Sequence, residues 1–384
     1  FMPTEFMHAM YDQGGGAGLR DFWDRWCTNP LFAGGFIWVY CDEAPKRSDK
    51  GGILDSDKSN APDGVVGPRR EKEGSYYAIR AQWSPIQLKP LLITNHFDGR
   101  FLLTNEYTFT NLKDCRMTYK VLSCGTPLQG NAEAGKVIAE GKVQLPSINP
   151  GETGTARFEL PDSFREGDVL ELEAFDREGK SICNWTYPIH LAKQYFERNL
   201  AQTTLTPAPQ KAEARQTSDA IELKSSKVSI TFDAATGMIR HIKSGETEVP
   251  FKDGPVAVGM KMRYEPSLSY TRHSSDGAIY CAKYKGAADS IVWRLTNEGL
   301  LYMDAILLNR GSGGGGFDDA FMDAQVFNLG LSFSYPEQNC SGMKWMGRGP
   351  YRVWKNRIPG TNYGIWHKDY NNTITGESFE NLIY

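Results

Sequence analysis

The sequence predicts a multi-domain chain that opens with an α/β segment and continues as two regions of β-sandwich. Three observations carry this expectation. Helical periodicity is confined to residues 1–84, where it alternates with a continuous apolar run. From Pro85 onward, alternation at period two takes over between recurring turn signals. A polar, proline-bearing stretch at residues 201–217 separates one β-rich region from a second.

Within the α/β segment, Phe1–Met10 is short and apolar and is broken by Gly14-Gly-Gly16. Leu19, Phe22, Trp23 and Trp26 follow at i, i+3, i+4 and i+7, one buried face of a helix that Asn29-Pro30 ends. Phe32–Cys41 (FAGGFIWVYC) reads as a strand buried on both faces, as in a parallel sheet. A polar loop runs from Asp42 to about Arg70, and Glu71–Trp83 reads as a helix stopped by Ser84-Pro85. Strand, helix, strand, loop and helix make two βα units.

In the next region Phe101, Leu103, Tyr107 and Phe109 share one parity, and Leu170, Leu172 and Ala174 alternate with Glu171 and Glu173. Turns are expected at Asp98-Gly99, Cys124-Gly-Thr-Pro127, Asn149-Pro-Gly151 and Glu166-Gly-Asp168. Short strands so punctuated predict an immunoglobulin-like β-sandwich over 85–197. Residues 198–217 read as a linker. Val228, Ile230 and Phe232, then Leu301, Met303, Ala305 and Leu307, mark a second all-β region over 218–384.

The composition is globular, with 40% hydrophobic residues and a net charge of −3. No run of Lys or Arg stands out, so neither nucleic acid nor a membrane is expected as partner. Seven Cys lie scattered with no zinc-ligand spacing, and their odd number argues against a disulfide framework. Cys115 and Cys124 are a pair that a hairpin could join. Asn184-Trp-Thr186, Asn339-Cys-Ser341 and Asn371-Asn-Thr373 fit the glycosylation pattern. Nine Trp suit either a Trp-rich β core or stacking on the apolar faces of sugars. Both ends of the chain read as cuts, so signals of location are not legible.

Chemistry concentrates in residues 1–84. Parallel α/β barrels present their reactive groups at the C-terminal ends of strands. On that reading Glu5 and Trp38 face one mouth from adjacent strands, with His8 beside them. A carboxylate, an imidazole and an indole are parts a glycosidase needs. The plainer reading makes Glu5 a solvated residue and Trp38 a core residue.

At this point the motifs become recognisable. Glu5-Phe-Met-His-Ala-Met10, Phe22-Trp-Asp24, Asn29-Pro-Leu-Phe-Ala-Gly-Gly-Phe-Ile-Trp38 and Pro62-Asp-Gly-Val-Val66 resemble, in order and spacing, the end of the catalytic barrel of glycoside hydrolase family 2, the β-galactosidase-like enzymes. Lys344-Trp-Met-Gly-Arg-Gly-Pro350 and Tyr363-Gly-Ile-Trp366 extend the resemblance to the C-terminal region. It implies a C-terminal fragment. Residues 1–84 would be the last two βα units of a (β/α)8 TIM barrel, 85–197 the immunoglobulin-like domain, and 218–384 the first part of a large galactose-mutarotase-like β-sandwich.

The resemblance also implies roles. Glu5 falls on the catalytic nucleophile, His8 on a histidine that binds substrate hydroxyls, and Trp38 on the tryptophan that packs against the sugar. Asp63 falls near the sugar and a bound cation, and either Tyr40 or a barrel tyrosine missing from this chain would donate a hydrogen bond to the nucleophile. The implied substrate is an oligo- or disaccharide ending in a β-galactoside. The intact parent would be a homo-oligomer that takes magnesium or sodium, with no cofactor required in this segment.

Three departures from the family pattern stand out. Trp38-Val-Tyr-Cys-Asp42 lacks the first Asp of the usual motif. The acid/base Glu of an Asn-Glu pair is missing, since Asn105-Glu106 and Asn297-Glu298 both fall in β regions. Most of the magnesium ligands would lie upstream. Asp42 and Glu43 are expected as rim or solvated loop acids, and Arg69–Glu73 as an exposed helix start. Asp55, Asp57 and Asp63 share an oxygen-rich loop without the Gly and Glu positions of a calcium loop. The competing readings are a β-glucuronidase- or β-mannosidase-like hydrolase and a non-catalytic carbohydrate-binding or structural module.

Overall fold

A computed structural model describes residues 1–8, 18–54, 63–125, 135–202, 210–308, 330–351, 353 and 358–371. The chain is mostly β-sheet with few helices. It divides into two compact units, Phe1–Thr203 with Gly342–Tyr384, and Thr204–Ser341.

The first unit begins with β1 (Phe6–His8), α1 (Leu19–Cys27) and β2 (Ile37–Trp38), the two strands pairing in parallel. The helical face expected from the spacing is partly inward. Leu19 is fully buried and Trp23 and Trp26 are half-buried, while Phe22 is exposed. Aromatic rings join this helix to the strands. Trp26 meets Phe6 edge-on with centroids 4.7 Å apart, and Trp23 lies 5.3 Å from Phe32 and 5.1 Å from Trp83. Gly35 sits beneath the Phe6 ring, where a Cβ would come within 2.8 Å of it.

The long buried strand expected over Phe32–Cys41 is regular only at Ile37–Trp38, and Phe36, Trp38 and Tyr40 are exposed. A strand is buried on both faces only when layers cover both, and a two-stranded sheet lacks them. Two parallel strands do not define a barrel; the observed fold of this segment is a small α/β layer. In the following loop β3 (Lys46–Arg47) and β4 (Ile53–Leu54) form an antiparallel pair. The helix expected from Glu71 starts later, as α2 (Gly74–Gln82). Glu71 and Lys72 are otherwise engaged, because Gly67 N–H donates to Glu71 O at 2.9 Å and Val66 bridges to Lys72. Glu73, expected on an exposed helix start, is buried.

Seven strands follow: β5 (Ile86–Leu88), β6 (Arg100–Asn105), β7 (Arg116–Ser123), β8 (Lys136–Val143), β9 (Thr153–Arg157), β10 (Val169–Phe175) and β11 (Ser181–Pro188). They form two antiparallel sheets, ordered β5-β6-β9 and β11-β10-β7-β8. Both sheets feed one core, with Leu103, Val121, Leu170, Leu172 and Ala174 at zero exposure. Burying each such leucine contributes roughly 1.5–3 kcal/mol. The expected parity fails after Leu103, since Phe109 is exposed. Asn105 ends β6 by folding the chain over. Its Oδ1 accepts from Tyr107 N–H at 2.9 Å, and its Nδ2 donates to Thr110 O at 2.8 Å and Ile148 O at 2.9 Å. Arg80 ties α2 to β11, donating to Ile182 O at 2.8 Å and to the Ser181 hydroxyl at 3.0 Å. Then α3 (Ala192–Gln202) runs into the stretch expected as linker. Its Arg198 pairs with buried Asp168, whose Oδ2 accepts from Cys124 N–H at 2.6 Å.

The second unit contains β12 (Glu213–Gln216), β13 (Ala220–Lys224), β14 (Val228–Asp233), β15 (Ile239–Ser244) and β16 (Thr247–Glu248) as one antiparallel sheet in chain order. Next come β17 (Lys252–Ala257), β18 (Met262–Tyr264), β19 (Tyr270–Ser274), β20 (Gly277–Gly286), β21 (Ala288–Thr296), β22 (Leu301–Leu307) and β23 (Leu331–Ser334). The order β18-β20-β21-β22 makes a second sheet, to which β19 adds through β20, and β17 pairs with β23. Phe232 from the first sheet packs between Tyr280 and Trp293 of the second, at 4.9 and 5.1 Å. The unit is therefore a sandwich with a shared core. On β22 the predicted alternation does not appear in burial: Met303, Asp304, Ala305 and Ile306 are all exposed, and only Leu301 and Leu307 of the expected set pack on the core, because β22 ends its sheet.

The chain then returns to the first unit as β24 (Gly342–Gly349) and β25 (Asn362–Asp369), an antiparallel pair. It docks on β11 through Tyr363 N–H, which donates to the Thr186 hydroxyl at 2.6 Å, and through Asn184 Nδ2, which donates to Asn362 Oδ1 at 3.2 Å.

Candidate active site

The expected site residues gather around the β1–β2 pair and the turn after it. Phe36 N–H donates to Pro3 O at 3.0 Å, and Phe36 O accepts from Phe6 N–H at 3.1 Å. A regular parallel ladder would leave one residue between those two bonds. Here Thr4 and Glu5 both lie there, so the chain bulges just before β1, at Glu5, which is an exposed residue. Trp38 ends β2 opposite His8. Its indole is 38% exposed. Glu5 therefore precedes β1 and lies opposite Phe36, two residues before Trp38 on the partner strand. The His8 side chain lies outside the described residues, as do Asp55 and Asp57.

Beyond Trp38 the chain is fixed by residues 63–66. Val39 N–H donates to Asp63 O at 3.3 Å, Val65 N–H to Val39 O at 2.8 Å, and Asp42 N–H to Val66 O at 2.9 Å. The Trp38–Val39 peptide is cis. Tyr40 projects outward, 65% exposed, with the Arg70 guanidinium 5.4 Å above its ring. Asp63 is buried at 7% exposure.

Asp42 is the residue the sequence reading undervalued. Expected as a rim or solvated acid, it is 5% exposed, whereas Glu43 is exposed as a loop acid should be. Its Oδ1 accepts from Gly64 N–H at 2.8 Å. Its Oδ2 has no hydrogen-bond partner among the described residues. Burial pushes the carboxyl up to about 7; the Gly64 N–H opposes the rise, and the charges of Asp63 and Glu71 add to it. Asp42 is thus a neutral acid over much of the pH range in which ordinary carboxyls are ionised. The available signal was Gly64, because a glycine is what lets the chain there close onto the Asp42 backbone.

Asp63 has Asp42 as acidic neighbour. Among the described residues no three His, Cys, Asp or Glu side chains are grouped to hold a metal ion. That donor set does not make a magnesium or sodium site. The Asn105-Glu106 pair stays out of the site. Asn105 is buried in its turn, and Glu106 pairs with Arg20 at 2.6 Å.

Comparison with known proteins bears on the region next to this site. Residues 101–183, which hold β6 to β10 and the start of β11, match the family model for domain 4 of beta-galactosidase. Beta-galactosidase 2 of Enterobacter cloacae is 21% identical over 425 aligned residues, covering 94% of this chain. The chain is similar to the β-galactosidases. The enzyme of Pseudoalteromonas haloplanktis is 19% identical across 97% of the chain, and that of Actinobacillus pleuropneumoniae 25% identical across 40% of it. The chain spans 37%, 39% and 15% of these three β-galactosidases, respectively. Among solved structures, the exo-chitosanase CsxA of Amycolatopsis orientalis overlays 76% of the chain and 33% of its own, with a TM-score of 0.21 at 10% identity. An overlay at that score carries no argument about fold.

Proposed function

We propose that this chain is the C-terminal portion of a retaining exo-glycosidase of family 2 that hydrolyses terminal β-galactosides, with Glu5 as nucleophile. The observation that carries the reading is the exposed Glu5 immediately before β1, the strand paired in parallel with the one that ends at the exposed Trp38. The similarity to β-galactosidases along most of the chain supports it, as does its span of little more than a third of those proteins.

In this mechanism the Glu5 carboxylate attacks the anomeric carbon as the glycosidic bond breaks, forming a glycosyl ester. A second carboxyl, about 5 Å away, protonates the leaving oxygen and then takes a proton from the water that releases the sugar. That second carboxyl belongs to a part of the parent outside residues 1–384. Trp38 supplies an apolar platform for the sugar, His8 and Asp63 bind hydroxyls, and Tyr40 sits at the rim. Residues 1–84 then act as the last two βα units of a barrel, and the parent is a homo-oligomer.

A fluorinated galactoside that traps the glycosyl-enzyme tests this in the full-length parent. Mass spectrometry should find the label on Glu5, and Glu5→Gln should abolish both label and turnover. Label on another carboxylate overturns the assignment. Nitrophenyl galactoside should not be hydrolysed by residues 1–384 alone. Turnover there that Glu5→Gln removes would show that the acid lies within this chain. A β-glucuronide or β-mannoside turned over faster than the galactoside would change the glycone, not the nucleophile.

A further inference from the structure

The first unit contains a cleft of about 780 Å3 lined from α1, α2, the start of the sandwich, β11, β24 and residues 358–361. That volume is typical of small-molecule sites. Glu5, Trp38, Tyr40 and Asp63 do not line it. Trp185 and Tyr187 of β11 do, along with Gln87. Gln87 spends its Nε2 on the carbonyls of Ala81, Gln82 and Ser84, at 3.2, 3.2 and 2.7 Å, which leaves Oε1 to accept from a ligand. Trp185, half-buried where it packs on the sandwich core, and Gln87 thus both line the cleft, an aromatic residue and an acceptor of the two kinds that bind a pyranose.

The charges in this cleft are unequally committed. Asp24 and Glu106 both pair with Arg20, at 2.7 and 2.6 Å. Arg348 is half-buried and makes one long bond, 3.4 Å, to Thr361 O. Its ionisable neighbours are the phenols of Tyr187 and Tyr363, and it is in no ion pair among the described residues. Burial pushes its pKa down accordingly. A guanidinium carries five N–H donors in a fork that fits a carboxylate, and holding one partly desolvated without a counter-charge is unfavourable. Lys89, exposed and also in no ion pair among the described residues, adds a second positive charge to the lining.

We propose that this cleft is a binding site for a small acidic sugar, its carboxylate on Arg348 and its ring against Trp185. The site is separate from the Glu5 assignment and stands or falls without it.

The test titrates residues 1–384 with galacturonate, galactose and acetate, followed by tryptophan fluorescence and saturation-transfer NMR. Galacturonate should bind at least about tenfold more tightly than either galactose or acetate. Arg348→Gln should lower that affinity at least about tenfold, with the near-UV circular dichroism unchanged. Trp38→Ala should leave it unaltered. Equal affinity for galacturonate and galactose, acetate competing as well as galacturonate, an unaffected Arg348→Gln chain, or loss of binding in Trp38→Ala each overturns the proposal. Should Arg348→Gln fail to fold, two measurements take its place. Lys89→Ala should weaken galacturonate binding, and in the unaltered chain binding should weaken at least about threefold between about 20 and 200 mM salt. No response to either overturns the proposal.

Discussion

A Cβ on Gly64 would lie 2.3 Å from the backbone nitrogen of Asp42, whose Oδ1 accepts the Gly64 N–H at 2.8 Å. The obstacle is main chain and cannot swing aside. Gly64→Ala is expected to destabilise the first unit by about 2 kcal/mol or more. Urea unfolding followed by tryptophan fluorescence measures it, and an unchanged midpoint would contradict the packing.

Asp42 should make stability depend on pH in an uncommon direction. Its folded value of about 7 lies above its ordinary 3.8, so the folded state holds a proton that the unfolded chain has released. The contribution is full below about pH 4, falls as pH rises towards 7, and is level above that. Its size is on the order of a few kcal/mol. The groups facing Asp42 are Asp63, Glu71 and the Gly64 N–H. Asp42→Asn should flatten the pH profile of unfolding between 4 and 7 relative to the unaltered chain, and parallel profiles would refute the shift.

Asp168 is buried, with Arg198 on one oxygen and Cys124 N–H on the other. Removing the guanidinium strands a carboxylate in the interior. Arg198→Met is expected to cost about 2–3 kcal/mol, discounted for the partial exposure of Arg198. Asp168→Asn together with Arg198→Met should recover part of that loss, which a double-mutant cycle resolves.

Two tyrosines of the second unit should respond oppositely to loss of a hydroxyl. Tyr280 shares a hydrogen bond of 2.7 Å with Tyr264, whereas the buried Tyr284 hydroxyl has no partner among the described residues. Tyr280→Phe should cost about 1 kcal/mol, and Tyr284→Phe should be neutral or stabilising. Calorimetry of the two variants decides, and equal losses would count against the difference.

The sandwich strands were legible because their signal is local. Leu170, Leu172 and Ala174 alternate in sequence and are wholly buried in the fold. The limits were set by side-chain bonds that periodicity does not see. Asn105 ends β6 before Tyr107 and Phe109 can continue its parity. Residues 32–41 were read as one buried strand from apolarity alone, but burial depends on the layers around a strand, and the described residues supply one helical layer. Trp38 was legible as the end of its strand. The bulge at Glu5 was not, because it arises from the register against Phe36. Asp42 was undervalued because its burial depends on a turn some twenty residues downstream.

The first unit is closed by a strand pair that the chain reaches only after the second unit has been written. Tyr363 and Asn362 complete contacts with Thr186 and Asn184 across more than 170 residues. On the ribosome, residues 204–341 emerge in one uninterrupted run, and their sandwich has all of its strands at hand before β24 leaves the tunnel. The larger unit must wait with β11 bare, its Thr186 hydroxyl and Asn184 amide facing water. A chaperone or protease meeting the nascent chain would find β11 uncovered for as long as β24 and β25 are still to be made.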